Sequence, residues 1–461
     1  MSARILSLLA VGCLLLLICG CRSPLKLPPK ETHSYQSLLE WSQTSGMPGA
    51  VLLVRTPATN FLASIGWADR KQKIPMRTDH AFRIGSVTKT FAGIVTAQLH
   101  TEGKFNTDAV ITNYLPASIT SHFPNADRIT LRQMTRHTSG IYDFNDSISY
   151  MLRRGVFSRR GGWPPLRDLK YAYDKPAQFP PGKGWDYSNS NFLLLGLAID
   201  QLTGHHHSVE IRNRLLSPLN LTNTYYELSE PPRGRLAHGY ERHFGFWEDA
   251  TDWTPVVGGD SGMVSTVSDL ATFVRAIAGT NSFLDEAARK LLRSQLRKGN
   301  VDRPWYPVSG YDFGLAVARH AEDSVSLSDA PFFFGHAGGT SGYLCFAWHE
   351  PEHDVTVAFF GSSSLVDVFH QRRNVEFLHL LQKALFELTI EHVPRRISRE
   401  GFKSVIDRRR QHLWGGGLSC RISDHLSVHR SWGGFASALT GRKSAVTFSL
   451  YLPVFFQFAK K

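Results

Sequence analysis

Short apolar runs of strand length cluster at two widely separated places in this chain, and that separation limits what it can fold into. Near the start, GAVLLVRT (49–56) and FLASIGWAD (61–69) flank PATN, a hairpin pattern, and DHAFRIG (79–85) is a third candidate strand. Strand signals return at YDFGLAVAR (311–319), FFFGHAGG (332–339), YLCFAWHEP (343–351) and DVTVAFFG (354–361), and the helical segment NVEFLHLLQKALFEL (374–388) closes the unit. From Ser86 to about residue 300 the pattern is mostly helical and loop-like. Strands, then helices, then strands again require one sheet completed by both ends of the chain. The expected fold class is therefore α+β: an antiparallel sheet flanked by helices, formed by residues 37–85 and 301–390, with a mostly helical domain inserted over 86–300.

The two ends of the chain differ from this body. MSARILSLLAVGCLLLLICGC places Arg4 before an apolar run of the length of a secretory signal, too short to span a membrane comfortably. Its end, ICGC, resembles a bacterial lipobox, so residues 1–20 are expected to be a signal peptide, with lipid attachment at Cys21 and residues 21–36 serving as a tether. The protein is expected to be exported and anchored to the membrane by that lipid, facing the periplasm or cell exterior. Residues 391–461 form a basic tail holding 13 Lys and Arg against four acidic residues. The formal net charge of +13 is thus mostly a property of the tail, and the body carries no basic stripe interleaved with aromatics. Nucleic acid is not expected as a partner on that ground.

Metal and disulfide scaffolds are not expected either. Beyond residue 21 the cysteines are Cys345 and Cys420, one possible bridge, and no C-x-x-C spacing occurs. His205, His206 and His207 are consecutive, point in different directions on a helix and have no carboxylate spaced to join them. They read as a solvated helix start. No cofactor is expected.

Chemistry is concentrated in three short motifs. In FRIGSVTKTFAG (82–93) Ser86 precedes Lys89 by three residues at the start of a helix striped by Phe91, Ile94, Val95 and Leu99. That spacing puts the amine one turn above the hydroxyl, and free N–H groups at the helix start can hold an oxyanion. The pair is not decisive alone, because SPLK repeats the spacing at Ser23 and Lys26 inside the tether. In GWDYSNSNF, Tyr187 and Asn189 leave the same side of an extended loop, where a phenol can relay a proton and an amide can hold lysine and substrate. In FFFGHAGGTSGY, a strand carries His336, Gly338 and Gly339, whose small glycines leave room for a ligand backbone.

Strand–S-x-x-K helix, Y-x-N loop and H-x-G strand, in that order, resemble the serine β-lactamase and penicillin-binding-protein family, in its class C, D,D-peptidase and esterase branch. ITLRQMTRHTSGI (129–141), LLSPLNLTNT (215–224) and GGDSGMVSTVSDLATF (258–273) look like stretches of the same family, so the resemblance covers about residues 36–390. It implies an acylated nucleophile at Ser86, a base at Lys89, a proton relay at Tyr187, and substrate contacts from Asn189, His336, Gly338 and Gly339, the last with Ser86 forming the oxyanion hole. Which of Lys89 and Tyr187 takes the first proton stays open. Where dedicated β-lactamases usually carry a K-T-G triplet, this chain has His336, Ala337 and Gly338, so a fixed cation is replaced by a group mostly neutral at pH 7. The implied substrate is a small ester, a D-amino-acid derivative or a cell-wall peptide.

Two other catalytic readings compete. GGDSG (258–262) is similar to the serine stretch of trypsin-like proteases, but Met263 stands where a glycine is expected and the helix-rich centre contradicts a double β-barrel. A G-x-S-x-G elbow is absent, which argues against an α/β-hydrolase. The alternative from a different class is a non-catalytic surface lipoprotein of the same fold that binds peptidoglycan. A binder needs no proton relay, so Ser86, Lys89, Tyr187 and Asn189 together favour the enzyme. His137, in RHTSG, is read as structural. The oligomeric state is not legible.

Overall fold

β1 (Gly49–Arg55) has the sequence GAVLLVR, with no polar alternation, and a strand of that kind is satisfied only when both of its faces are covered. In the computed structural model its residues Gly49–Val54 are all buried. The described residues are 25–150, 165–243, 246–253, 255–296, 309–319, 332–364 and 371–391. The expected signal peptide, the acceptor Cys21 and the basic tail beyond Glu391 lie outside them.

β1 pairs antiparallel with β2 (Asn60–Asp69), from Gly49 opposite Gly66 to Arg55 opposite Asn60, which is the expected hairpin. β3 (Ile74–Pro75) follows at that edge. On its other side β1 pairs with a strand from the far end of the chain, β14 (Val355–Gly361), with Val51 opposite Phe360. The sheet continues through β13 (Tyr343–Glu350), β12 (Phe332–Thr340), β11 (Leu315–Arg319) and β10 (Gly310–Asp312). All its pairings are antiparallel, so both chain ends complete one eight-stranded sheet, as the sequence pattern requires.

The helices Tyr35–Thr44 and Val267–Ala278 pack on this sheet. The first begins at a reciprocal cap between Ser34 and Ser37, and the second at Thr266, whose side chain accepts from Asp269 N–H. The third early strand behaves differently from its neighbours. DHAFRIG forms β4 (His80–Arg83), which lies in a separate four-stranded sheet with β5 (Tyr225–Tyr226), β6 (Arg235–Leu236) and β9 (Met263–Thr266). An apolar run this short does not specify its partner, and here long-range pairing of Phe82 with Ser265 decides it. A small hairpin, β7 (Tyr240–His243) with β8 (Phe246–Asp249), completes the described strands.

The helix Thr88–Thr101 differs from the amphipathic stripe expected of it. Residues from Thr88 to Ala97, and Leu99, are all buried, so it is a central helix covered on every side. Its neighbours include the helix Asn189–Thr203 and β11. That burial places Lys89 inside the protein. Among the described residues no helix is long and apolar enough to cross a membrane.

Candidate active site

Ser86 lies in a single turn of 3-10 helix, Gly85–Val87, just ahead of the helix that carries Lys89. Gly85 has φ +48°, a left-handed conformation that glycine adopts at little cost, and it turns the chain from β4 into the helix. Two neighbours hold this turn. Ile84 N–H donates to Met263 O at 3.0 Å, and β12 presses its backbone against the other side. A methyl group added at Gly338 would lie 2.0 Å from Ile84 O and 3.1 Å from Ser86 N, so only glycine permits this approach. One added at Gly85 would lie 2.6 Å from Gly339 O.

Ser86 is partly exposed whereas Lys89 is fully buried. The amine donates three hydrogen bonds, to Ser86 Oγ at 3.1 Å, Asn189 Oδ1 at 2.6 Å and the Asp260 carbonyl at 2.9 Å. All three acceptors are neutral. Burial lowers the Lys89 pKa to about 8, opposed by the charges of Asp260 and Asp143. The amine is thus a far better proton acceptor near neutrality than an exposed lysine.

Tyr187 lies in a loop as expected, ahead of the extended Ser188, whereas Asn189 does not. Ser188 is the N-cap of the helix Asn189–Thr203, so Asn189 is its first residue and Tyr187 precedes the cap. Lys89 Nζ lies 5.1 Å from the centre of the Tyr187 ring. The Asn189 amide also reaches the other way, where Nδ2 donates to Asp143 Oδ2 at 2.8 Å. Burial, then the neighbouring Asp146, pushes Asp143 up to about 7.

His336 is buried on β12, with Nε2 2.9 Å from the Tyr311 hydroxyl and Nδ1 against the Ala337 carbonyl. Burial, reinforced by Lys89, lowers its pKa to about 3. It is a neutral group at pH 7. The structure therefore brings Ser86, Lys89, Tyr187, Asn189, His336, Gly338 and Gly339 into one neighbourhood.

Sequence reasoning missed Asp143 and the carbonyl of Asp260, and it assigned the histidine triplet incorrectly. His206 and His207 do begin a helix, but His207 is buried rather than solvated, and a carboxylate does join them. Asp200, in the last turn of the preceding helix, comes within 4.8 Å of both histidines. The left-handed Gly204, φ +76°, reverses the chain between the two helices and makes this contact. His137, with φ +58°, is buried among the rings of Tyr187, Tyr311 and Phe192, and its Nδ1 accepts from Ser188 N–H at 3.1 Å.

A profile of the Beta-lactamase family matches residues 36–378. The chain belongs to the beta-lactamase family. Among its relatives, penicillin-binding protein 4* of Bacillus subtilis (strain 168) is 23% identical over 327 residues, which cover 68% of each chain. The putative penicillin-binding protein PbpX of the same organism is 28% identical over 212 residues, 46% of this chain, and the match spans only 50% of the length of PbpX. The D-stereospecific amidohydrolase of Streptomyces sp. superimposes with a TM-score of 0.61 at 26% identity, over 75% of this chain and 98% of that one. The D-amino acid amidase of Ochrobactrum anthropi SV3 superimposes with a TM-score of 0.65 at 22% identity, over 77% and 98%. The fold is thus the β-lactamase and transpeptidase type expected from the motifs.

Proposed function

We propose that this beta-lactamase-family chain is a serine hydrolase that cleaves an ester or amide through an acyl-enzyme on Ser86. The observation that carries this reading is the 3.1 Å hydrogen bond from Lys89 Nζ to Ser86 Oγ, made by an amine whose pKa burial has lowered to about 8. Neutral Lys89 takes the proton of Ser86 as Oγ attacks the substrate carbonyl, and the Ser86 and Gly339 N–H groups stabilise the oxyanion. Tyr187 relays the proton to the leaving group, and Asn189 holds Lys89 and substrate. Water then attacks the acyl-enzyme and releases the acid.

Small D-amino-acid derivatives or peptides are the proposed substrates, supported by the name of the D-stereospecific amidohydrolase to which the chain is similar. A neutral His336 offers no cation to the carboxylate of a β-lactam, so efficient β-lactam turnover is not part of the proposal. The test is a panel of short-chain chromogenic esters, a cephalosporin and D-amino-acid amides, run on the wild type and Ser86→Ala with intact-mass detection of acylation. Acylation and turnover lost in Ser86→Ala support the reading. Turnover that survives Ser86→Ala overturns it.

We also propose export and lipid attachment at Cys21, on the strength of Arg4, the apolar run and ICGC. Mass analysis of the protein recovered from membranes, compared with Cys21→Ala, tests this. An unlipidated wild type ends it.

A further inference from the structure

The carbonyl that receives Lys89's third hydrogen bond belongs to a tight turn. Gly258 and Ser261 exchange backbone hydrogen bonds, N–H of 258 to O of 261 at 3.1 Å and the reverse at 3.0 Å, with Asp260 between them. This turn is not braced only by itself. Tyr226, buried, donates its hydroxyl to Ser261 O at 2.8 Å and to Gly258 O, and accepts from Gly258 N–H at 3.2 Å. The fourth contact at the hydroxyl is His207 Nε2, at 2.9 Å. On the far side of the ring, Asp200 Oδ1 is 2.9 Å from His207 Nδ1 and accepts from His207 N–H at 2.5 Å. Both ring nitrogens of His207 are engaged within the protein, Nε2 with Tyr226 and Nδ1 with Asp200.

We propose that Tyr226 and His207 are positioning residues for the Ser86 reaction, holding the Gly258–Ser261 turn so that the Asp260 carbonyl stays in reach of Lys89. The proposal rests on the reading of Ser86 and Lys89 given above. Asp200 anchors the chain of contacts from one helix, Tyr226 receives it on the second sheet, and the turn delivers it to the amine. None of the three touches Ser86. Their effect passes through Lys89, whose other neighbours include Asp143, the Asp260 carboxyl, His137, His336 and Tyr187.

The experiment follows hydrolysis of p-nitrophenyl butyrate by the full chain and by Tyr226→Phe, Asp200→Asn and Ser86→Ala, across pH, with melting temperatures for each. Tyr226→Phe is expected to lower kcat roughly tenfold with KM within about twofold, a loss of the size expected for one misplaced hydrogen bond. The acid limb of its profile moves to lower pH, because Lys89 loses an acceptor that favours its charged form. Asp200→Asn, at a partly exposed position, is expected to act in the same direction by a smaller factor, and it carries the test if Tyr226→Phe does not fold. Wild-type kcat and profile in the folded variants would overturn the proposal, as would a lower kcat with an unmoved limb. A wild type no more active than Ser86→Ala on this ester and on every D-amino-acid amide of the panel overturns the hydrolase reading, and this inference with it. An active wild type with unaffected Tyr226→Phe and Asp200→Asn variants overturns this inference alone.

Discussion

Lys89 Nζ donates to Asn189 Oδ1 at 2.6 Å, and the other end of that amide donates to Asp143 at 2.8 Å, so Asn189 stands between a buried amine and a buried carboxyl. A direct ion pair would hold the lysine charged. The interposed amide lets the amine keep a lowered pKa while leaving neither group without a hydrogen bond.

Asn189→Asp should remove that insulation. A carboxylate against Nζ favours the charged amine, so the acid limb of kcat/KM is expected to move above the wild-type value near 8, with activity at pH 7 falling roughly tenfold per unit moved. A pH–rate profile with a chromogenic ester checks this. An unmoved limb would show that Lys89 is not the group titrating.

Lys89→Met should separate activity from stability. Loss of the base is expected to cost about 10²–10⁴ in kcat. Because the amine is buried against neutral acceptors, replacing it with an apolar chain of similar length should leave the melting temperature equal or higher. Calorimetry beside a steady-state assay reads both.

Gly338→Ala should damage both. The added methyl would meet Ile84 O at 2.0 Å and force β12 away from the Ser86 turn. An overpacking cost of about 1–3 kcal/mol is expected, together with a fall in acylation rate seen by intact mass. Ala337→Gly, one position earlier on the same strand, adds no atom and should leave acylation closer to the wild type.

Asp143→Asn tests the raised carboxyl. A folded-state pKa near 7, above the unfolded value of about 4, means the wild type holds this contribution to stability below pH 4 and loses it as pH rises through 7. The melting temperature of the variant minus that of the wild type is therefore expected to increase from pH 4 to pH 8. Parallel melts at fixed ionic strength decide it, and a flat difference would mean that the carboxyl is not displaced.

His336→Gln should leave the profile between pH 5 and 8 in place, since burial already holds the histidine neutral there with a pKa of about 3. A limb that disappears in this variant would show that the ring titrates in that window.

Much of this protein is legible in its sequence because the controlling interactions are local or periodic. The hairpin of GAVLLVRT with FLASIGWAD, the return of strands after residue 310, and the one-turn spacing of Ser86 and Lys89 all follow from patterns a few residues long. Other decisions are made by residues far apart in the chain. DHAFRIG joins the second sheet by pairing with Met263–Thr266, and His207 meets the hydroxyl of Tyr226, 19 residues further along. Asp143 and the Asp260 carbonyl reach the Lys89 network across 46 and 171 residues, respectively to Asn189 and to the amine itself. Local sequence specifies which groups exist and their spacing within a turn, while the desolvation that sets their charge arises only when distant segments close around them.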